Sequence, residues 1–474
     1  MKIKLSTAIF ALLAATQAAA AEEITVAGLP SPNRGEIPVN TDISKTLKLD
    51  SSAGTQYKIA GNTSFGSVSV VNGENPGDAY SIVLGSLTVD INSASGSANA
   101  FSANNWWMLA STLNFKNSVK SSEAVANINF AGNLGVYSTS TVATQKQSVT
   151  FTDVKANVTV GGTATIGNGY AGTSGANTSA IYVNSSADVT WTGTTSFGGY
   201  GQLNVNGKFA TGGAMTFGKD SELNVNGSFA STNAMTFDAN SNTTIGTSGN
   251  VNLSKFIALG NFTSSGKLTQ TTEDGIGLKG TGTIKSGSEW LVKGKLHTYT
   301  GSDTTIEAGA SIMLNSPNPT ASTPSRLVLE GGKITFNSQV NSEYGVLASV
   351  LLKETTLAFG TDFTLAFINQ LTNDSFTIVM NEGGILRLID ADSLRLGTGG
   401  VIVHNFAENK IYVGTNVTSD ELALINLFSD AGETYLGTAG LTSDGWLTAV
   451  PEPAEWAAIF GTAALAFAIC RRRK

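Results

Sequence analysis

The sequence has few of the residues on which small exported proteins and most enzymes depend. Its 474 residues contain one cysteine, Cys470, so no disulfide bond can form within the chain and stability must come from packing. Only two histidines, His297 and His404, are present, and no HExxH, CxxC or GxSxG motif occurs. Both histidines follow alternating strand patterns, which favour a surface position over a metal site. The sequence therefore predicts no catalytic residue, no metal site and no cofactor.

Charge is also scarce. Charged residues make up 13 % of the chain, against about a quarter in a typical soluble protein. Without the two ends discussed below, 22 Lys and Arg stand against 33 Asp and Glu, so the body is acidic and has no basic tract. This balance argues against nucleic acid as a partner. What is abundant is glycine, at 53 residues, together with a hydrophobic fraction of 41 %, which favours an all-β surface protein over a disordered one.

The first 21 residues have the pattern of a secretory signal peptide. Lys2 and Lys4 precede an apolar run over residues 5–15, and small residues at 19–21 fit a cleavage site. An N-terminal anchor or core helix is less favoured, because the run is short and rich in alanine. The expected partners at this end are the Sec translocon and signal peptidase.

A repeat in the middle of the chain indicates the fold. Residues 201–220 and 221–240 are identical at 11 of 20 positions without a gap, and apolar and polar residues alternate within each block. A fixed period with alternation at every second residue predicts a parallel β-solenoid with coils of about 20 residues. Inward residues of successive coils should then lie in register, with Phe217 on Phe237. A β-sandwich or barrel also explains the alternation but not the repeat.

These patterns predict five segments: a signal peptide at 1–21, an N-terminal segment or cap at 22–60, solenoid repeats at 61–339, a β-rich C-terminal module at 340–449 and a tail at 450–474. One short helix is expected within residues 418–428, because Thr418 is placed to cap it and Glu421 lies three residues on.

Two adjacent tryptophans, Trp106 and Trp107, are candidates for stacking on a sugar ring. In a strand, adjacent side chains point to opposite faces, so one indole is expected in the core and the other at the surface. Packing of both rings in the core or at an edge is the alternative.

The tail has three parts in order: Pro451-Glu452-Pro453, an apolar segment over residues 456–470 and four basic residues. As a helix the apolar segment is about 22 Å long, short of the ~30 Å hydrocarbon core, so it predicts a short and marginal transmembrane helix. The basic end should stay in the cytoplasm. The side chains expected in the membrane are Trp456, Phe460, Leu465, Phe467 and Ile469, and the stop-transfer residues are Arg471, Arg472, Arg473 and Lys474.

This tail resembles the PEP-CTERM sorting signal of Gram-negative bacteria. The resemblance covers about 25 residues and implies recognition of Pro451, Glu452 and Pro453 by exosortase, a transpeptidase-like membrane protease. It further implies transient anchoring in the inner membrane, removal of the tail and delivery to the cell surface, the outer membrane or the extracellular matrix. The predicted solenoid body is itself similar to autotransporter passengers.

The expected function is that of a secreted structural or adhesive protein, with exopolysaccharide as a candidate partner. Two alternatives stay open. A polysaccharide-active β-helix enzyme needs carboxylates gathered on one face. The candidates are Asp188, Asp220, Asp238 and Asp303, which are equally suited to turns. An ice-binding surface needs a flat outward array of threonines, and runs such as residues 269–272 and 281–283 do not repeat at 20 residues.

Overall fold

The structure is a computed structural model that describes most of the chain between residues 22 and 450. The described ranges are residues 22–27, 29–30, 35–50, 55–59, 62–71, 81–119, 123–136, 147–167, 179–315, 325–342, 347–390, 393–450 and 461–465. The predicted signal peptide and the Pro-Glu-Pro triplet lie outside them. The chain divides into two compact units, Met1–Gly213 and Ala214–Lys474, which are described separately below.

Unit 1 consists of 18 described strands. They are β1 (Glu23–Ala27), β2 (Leu29–Pro30), β3 (Gly35–Ile37), β4 (Thr46–Asp50), β5 (Thr55–Ile59), β6 (Asn62–Phe65), β7 (Ser67–Val71), β8 (Ser81–Asp90), β9 (Ser97–Ala103), β10 (Trp106–Lys116), β11 (Val125–Phe130), β12 (Leu134–Val136), β13 (Gln147–Thr152), β14 (Lys155–Ile166), β15 (Ser179–Val183), β16 (Asp188–Phe197), β17 (Gly201–Val205) and β18 (Lys208–Thr211).

These strands form three parallel ladders. One ladder runs through β1, β4, β7, β9, β11, β14, β16 and β18, and a second runs through β6, β8, β10, β13, β15 and β17. The third joins β3, β5 and β12 to other parts of the long strands β8, β10, β14 and β16. One antiparallel pair, β2 with β5, lies near the start.

Aromatic rings fill the interior of unit 1. Phe101 packs against Trp106 with ring centres 4.8 Å apart and against Phe130 at 5.1 Å, and Phe115 stacks on Phe151 at 5.5 Å. All five side chains are almost completely buried. Burying rings of this size stabilises the unit by the removal of apolar surface from water, which supplies what disulfides supply in smaller exported folds.

Unit 2 contains the remaining 30 strands. They are β19 (Met215–Phe217), β20 (Glu222–Val225), β21 (Ser228–Ser231), β22 (Met235–Phe237), β23 (Asn242–Ile245), β24 (Asn250–Leu253), β25 (Ile257–Leu259), β26 (Asn261–Ser264), β27 (Lys267–Gln270), β28 (Ile276–Leu278), β29 (Thr281–Ile284), β30 (Glu289–Val292), β31 (Leu296–Tyr299), β32 (Asp303–Ile306), β33 (Ser311–Leu314), β34 (Ser325–Glu330), β35 (Lys333–Phe336), β36 (Val340–Ser342), β37 (Leu347–Lys353), β38 (Thr356–Phe359), β39 (Asp362–Leu365), β40 (Ile368–Gln370), β41 (Phe376–Met380), β42 (Ile385–Leu388), β43 (Leu394–Arg395), β44 (Val401–His404), β45 (Ile411–Tyr412), β46 (Ile425–Phe428), β47 (Tyr435–Leu441) and β48 (Leu447–Val450).

Three long parallel ladders also organise unit 2. The first ladder is β20, β23, β26, β29, β32, β35, β38, β41, β44 and β46. The second ladder is β21, β24, β27, β30, β33 and β36, and the third is β25, β28, β31, β34, β37, β40 and β43. Two shorter parallel sets are β19 with β22, and β39 with β42 and β45.

The predicted all-β, repeat-like β-helix architecture is confirmed. The expected register is confirmed at Phe217 and Phe237, which pair directly and stack with ring centres 4.7 Å apart. A uniform coil of about 20 residues is wrong, because Asp303 pairs with Lys333, 30 residues on, and Lys155 pairs with Asp188, 33 residues on. A parallel ladder fixes only the strands, and the entropy cost of a longer connection grows slowly with its length.

The C-terminal part of unit 2 differs in detail from the prediction. Parallel pairing does not change at residue 340, since Val340 pairs with Ile312 and the first ladder continues to β46. Antiparallel pairing begins only with β46, β47 and β48. The five predicted segments therefore stay predictions, and no change of strand pairing marks the boundary at 340.

The predicted helix exists but is shorter than its sequence suggests. Helix α1 (Ser419–Leu422) has the predicted capping box between Thr418 and Glu421. The apolar residues that follow form β46 instead, because pairing with β44 uses their backbone groups and buries Ile425 and Leu427.

Of the predicted membrane segment, only residues 461–465 are described. They are helical and exposed. In the described part of the chain, no helix is both long and apolar enough to cross a membrane.

Candidate functional site

The tryptophan pair lies at the start of β10 and divides as predicted. Trp106 is fully buried with its ring against Phe101, whereas the Trp107 side chain is half-buried. One indole therefore belongs to the core, and carbohydrate stacking on the other stays a prediction.

The four aspartates considered for catalysis lie in separate local settings. Asp188 lies 3.9 Å from the amino group of Lys208 in unit 1, and Asp303 lies 3.8 Å from that of Lys333 in unit 2. These are exposed pairs between neighbouring coils, of the kind that contributes at most about 1 kcal/mol to stability.

The other two aspartates lie in turns. Asp220 has a left-handed backbone with φ of 60°, and the Asp238 carboxylate accepts a hydrogen bond from the N–H of Asn240 at 2.9 Å. Both are roles that turns commonly assign to aspartate. Among the described residues, no group of three or more His, Cys, Asp or Glu side chains is arranged to hold a metal ion.

Sequence reasoning missed a column of threonines on the outer side of the first ladder. These residues occupy the same position in five successive strands and pair directly with one another. The threonine column comprises Thr244, Thr263, Thr283, Thr305 and Thr335. Neighbouring strands in a sheet are about 4.8 Å apart, so hydroxyl and methyl groups repeat at that interval.

The threonine column is invisible as a fixed period because its members are 19, 20, 22 and 30 residues apart. Aligning each strand on its last inward residue reveals it, since each threonine directly precedes one. A shallow groove of about 400 Å³ lies along the column beside Asn242, Asn261 and Thr281. The amide oxygen of Asn261 accepts a hydrogen bond from the N–H of Thr281 at 3.0 Å, which links adjacent coils.

A second surface lies at the carboxyl ends of strands in the third ladder. Tyr299 pairs with Glu330, and Glu330 pairs with Lys353. Lys279 follows Leu278, which pairs with Thr298, so it occupies the same level one coil earlier. Four successive coils thus place a cation, a phenol, a carboxylate and a second cation along one edge.

A β-bulge sets the last member of this row. The register between β34 and β37 shifts after Leu329, which pairs with Leu351, so that Glu330 faces Lys353. Leu352 is the extra residue, and its side chain is 38 % exposed. Bulges commonly re-aim a side chain at the rim of a sheet. Without this one, an apolar side chain would face Glu330.

The Tyr299 ring is held over a glycine. A Cβ atom on Gly277 would lie 2.8 Å from Tyr299 Cε2 and 3.1 Å from Phe256 Cζ, closer than real Cβ contacts allow. His297 stacks on Tyr299 with ring centres 4.3 Å apart and is only 8 % exposed. Its predicted surface position is therefore wrong in one respect: the imidazole is on the outer side of the strand but is covered by the phenol ring.

Glu330 connects the charged groups. Its carboxylate lies 2.8 Å from the amino group of Lys353 and 3.3 Å from Nε2 of His297. The hydrogen bond from Lys353, with a smaller contribution from His297, lowers the pKa of Glu330. Burial, and then the charge of Lys295, lower the pKa of His297 despite the opposing effect of Glu330. Burial, and then the charge of Glu330, raise the pKa of Tyr299.

These residues border a groove of about 310 Å³, named here the Tyr299 groove. Its lining residues are Ala239, Lys279, Tyr299, Thr300, Glu330 and Lys353. Two glycines with positive φ, Gly331 and Gly332, turn the chain directly after Glu330 and end β34 there. No motif announces the groove, because its members come from four coils of unequal length.

Comparison of the chain with family models, with curated proteins and with solved structures finds no match.

Proposed function

We propose that this chain is an exported structural or adhesive protein that exosortase sorts to the surface or extracellular matrix of a Gram-negative bacterium. The observation that carries the proposal is the order of the tail: Pro451-Glu452-Pro453, an apolar segment and four basic residues. The apolar segment holds the chain in the inner membrane after export, and cleavage near the triplet releases the body from it.

The form of the body supports a structural role. Parallel ladders that bury stacked rings need no disulfide bonds and present long rows of uncharged groups. Besides the threonine column, unit 1 pairs Asn99 with Asn127 and Asn127 with Asn157 on an outer face. The amide nitrogen of Asn127 donates to the hydroxyl of Ser97 at 2.6 Å. Rows of hydroxyl and amide groups suit hydrogen bonding to a hydrated polysaccharide.

The sorting step is tested by a matched pair of variants in the native cell. Glu452→Gln changes the triplet, whereas Glu455→Gln makes the same change three residues later. We expect Glu452→Gln to accumulate uncut in the inner membrane fraction, and Glu455→Gln to reach the surface normally. Equal surface delivery of both variants, together with normal delivery of a double Pro451→Ala and Pro453→Ala variant, would contradict the proposal.

Ice binding is a second candidate function, because the threonine column supplies the regular outward array that it requires. Five threonines in register repeat hydroxyl and methyl groups at the strand spacing. If this candidate is right, the purified chain inhibits ice recrystallisation, and Thr263→Lys with Thr283→Lys abolishes the effect. Thr269→Lys, on the outer side of the second ladder, is the matched control and should leave it intact. A wild-type chain without any effect on ice growth would exclude the candidate.

A further inference from the structure

We propose that the Tyr299 groove binds a carboxylated sugar residue of an acidic polysaccharide. The proposal rests on the matrix role proposed above for the polymeric nature of the ligand, and it adds the ligand class and the site. Its basis is the row of Lys279, Tyr299, Glu330 and Lys353 along the end of the third ladder.

The charges of the groove favour an anion. Two lysines and one glutamate line it, in a chain whose formal net charge is −7. Glu330 is compensated by Lys353 at 2.8 Å and has His297 at 3.3 Å on its other side. Lys279 forms no salt bridge with any described residue, and its amino group lies 5.9 Å from the centre of the Tyr299 ring. One positive charge is thus left for a ligand carboxylate.

The uncharged lining favours a sugar as the carrier of that carboxylate. Tyr299 is half-buried, with His297 stacked on it, so its ring is fixed before any ligand arrives. A rigid aromatic surface packs well against the apolar C–H groups of a sugar ring. The Thr300 hydroxyl donates to the carbonyl of Glu330 at 3.1 Å, and its lone pairs remain for a sugar hydroxyl.

Two local departures from the regular fold build the groove. The bulge at Leu352 replaces an apolar side chain by Lys353 opposite Glu330, and the missing Cβ of Gly277 makes room for Tyr299. Both departures meet at one place, where they position the phenol and the charges. Such coincidence is typical of a site that holds a ligand in a defined orientation.

Calorimetric titration of the purified full chain with oligogalacturonate tests the proposal, with neutral dextran oligosaccharide and sulfated dextran as the comparison ligands. We expect oligogalacturonate to bind, with an affinity that falls as salt is added, and the neutral sugar not to bind. Lys279→Gln should weaken binding about tenfold, which corresponds to about 1.4 kcal/mol for one charge-assisted hydrogen bond. Tyr299→Ala should weaken it by a similar factor.

Lys267→Gln is the matched control. Lys267 lies on the second ladder, 2.7 Å from Glu289, so this change removes the same charge from a different surface. Its affinity should equal that of the unaltered chain, and circular dichroism should show that every variant is folded. Equal weakening by Lys267→Gln and Lys279→Gln would overturn the proposal by showing attraction to overall charge. Tighter binding of sulfated dextran would overturn the assignment to a carboxylate.

Failure of this proposal is distinguishable from failure of the sorting proposal. A chain that loses its tail at the triplet but does not bind oligogalacturonate would overturn the ligand assignment and leave exosortase sorting intact. Binding by a chain that keeps its tail would support the groove and contradict the sorting.

Discussion

The threonine column and the Tyr299 groove are built by the same parallel register and yet present opposite chemistry. The first repeats one small uncharged residue through five coils, from Thr244 to Thr335. The second changes residue type at every coil, from Lys279 to Lys353. A stacked fold therefore yields an extended uniform surface where the sequence repeats and a single distinct site where it does not.

The two surfaces also differ in what they require of the fold. Threonine suits an outward position on any strand, so the column needs only that register be kept. The groove needs a bulge at Leu352, a glycine at 277 and a covered imidazole at His297. Chemical specificity on a solenoid thus depends on local departures from regularity, which other residues must accommodate.

The largest expected effect comes from removing core support beneath the threonine column. Trp290 is 2 % exposed, packs on Phe262 with ring centres 5.7 Å apart, and donates from Nε1 to the hydroxyl of Ser264 at 2.9 Å. Phe262 and Ser264 flank Thr263 on β26. Trp290→Ala should lower the free energy of unfolding by about 3–5 kcal/mol, measured by denaturant titration. Leu291→Ala, a neighbour that is 43 % exposed, should cost well under about 1 kcal/mol. Similar losses for both would contradict this description of the core.

A smaller effect is expected from filling the space beneath Tyr299. Gly277→Ala places a methyl group 2.8 Å from the phenol ring and 2.9 Å from the Ala258 Cβ, so one of them must move. We expect a loss of about 1–3 kcal/mol in stability and weaker oligogalacturonate binding, with ice growth inhibition, if present, unchanged.

Gly461→Ala is the control for that change, because nothing lies within 4 Å of its added Cβ. Stability and oligogalacturonate affinity should match those of the unaltered chain. If Gly277→Ala binds oligogalacturonate as well as this control does, Tyr299 does not form the groove in the way described.

The pH dependence of stability should also distinguish the groove from the uncharged column. Burial lowers the pKa of His297 below its usual 6.5, so the unfolded chain binds more protons than the folded one as the pH falls through that value. The stability contributed by the neutral imidazole is therefore present above about pH 6.5 and is lost on acidification through the folded pKa.

Glu330 acts in the same direction at lower pH. Its pKa is held below the usual 4.5, chiefly by the hydrogen bond from Lys353, so its contribution is lost as the pH falls below that value. Denaturant midpoints measured from pH 7 to pH 5 should fall less in His297→Gln than in the unaltered chain. Parallel pH profiles would show that the imidazole is not held neutral by burial.

The smallest effect is expected within the threonine column itself. Thr263→Val keeps the β-branched shape and removes one hydroxyl from a half-buried outward position. Stability should change by no more than about 0.5 kcal/mol, and the affinity of the groove should not change, because the two surfaces lie on different ladders. A loss above about 1 kcal/mol would mean that the column is a structural support.

Periodicity predicted what depends on a repeating pattern. The stacking of Phe217 on Phe237, the division of Trp106 from Trp107 and the capping box at Thr418 all follow from local spacing, and all are present. The threonine column was missed because unequal connections hide its register. The Tyr299 groove was missed because a bulge, which has no local signature in the sequence, decides that Lys353 rather than Leu352 faces Glu330.

The sorting of the chain is the central claim, and the mass of its mature C-terminus tests it most directly. Intact-mass spectrometry of protein taken from the native cell surface and medium locates that end. A mass that ends within residues 451–454, with or without an added group, is the result expected from exosortase cleavage. A mass that still includes Arg473 and Lys474 would contradict the claim and make the tail an ordinary anchor.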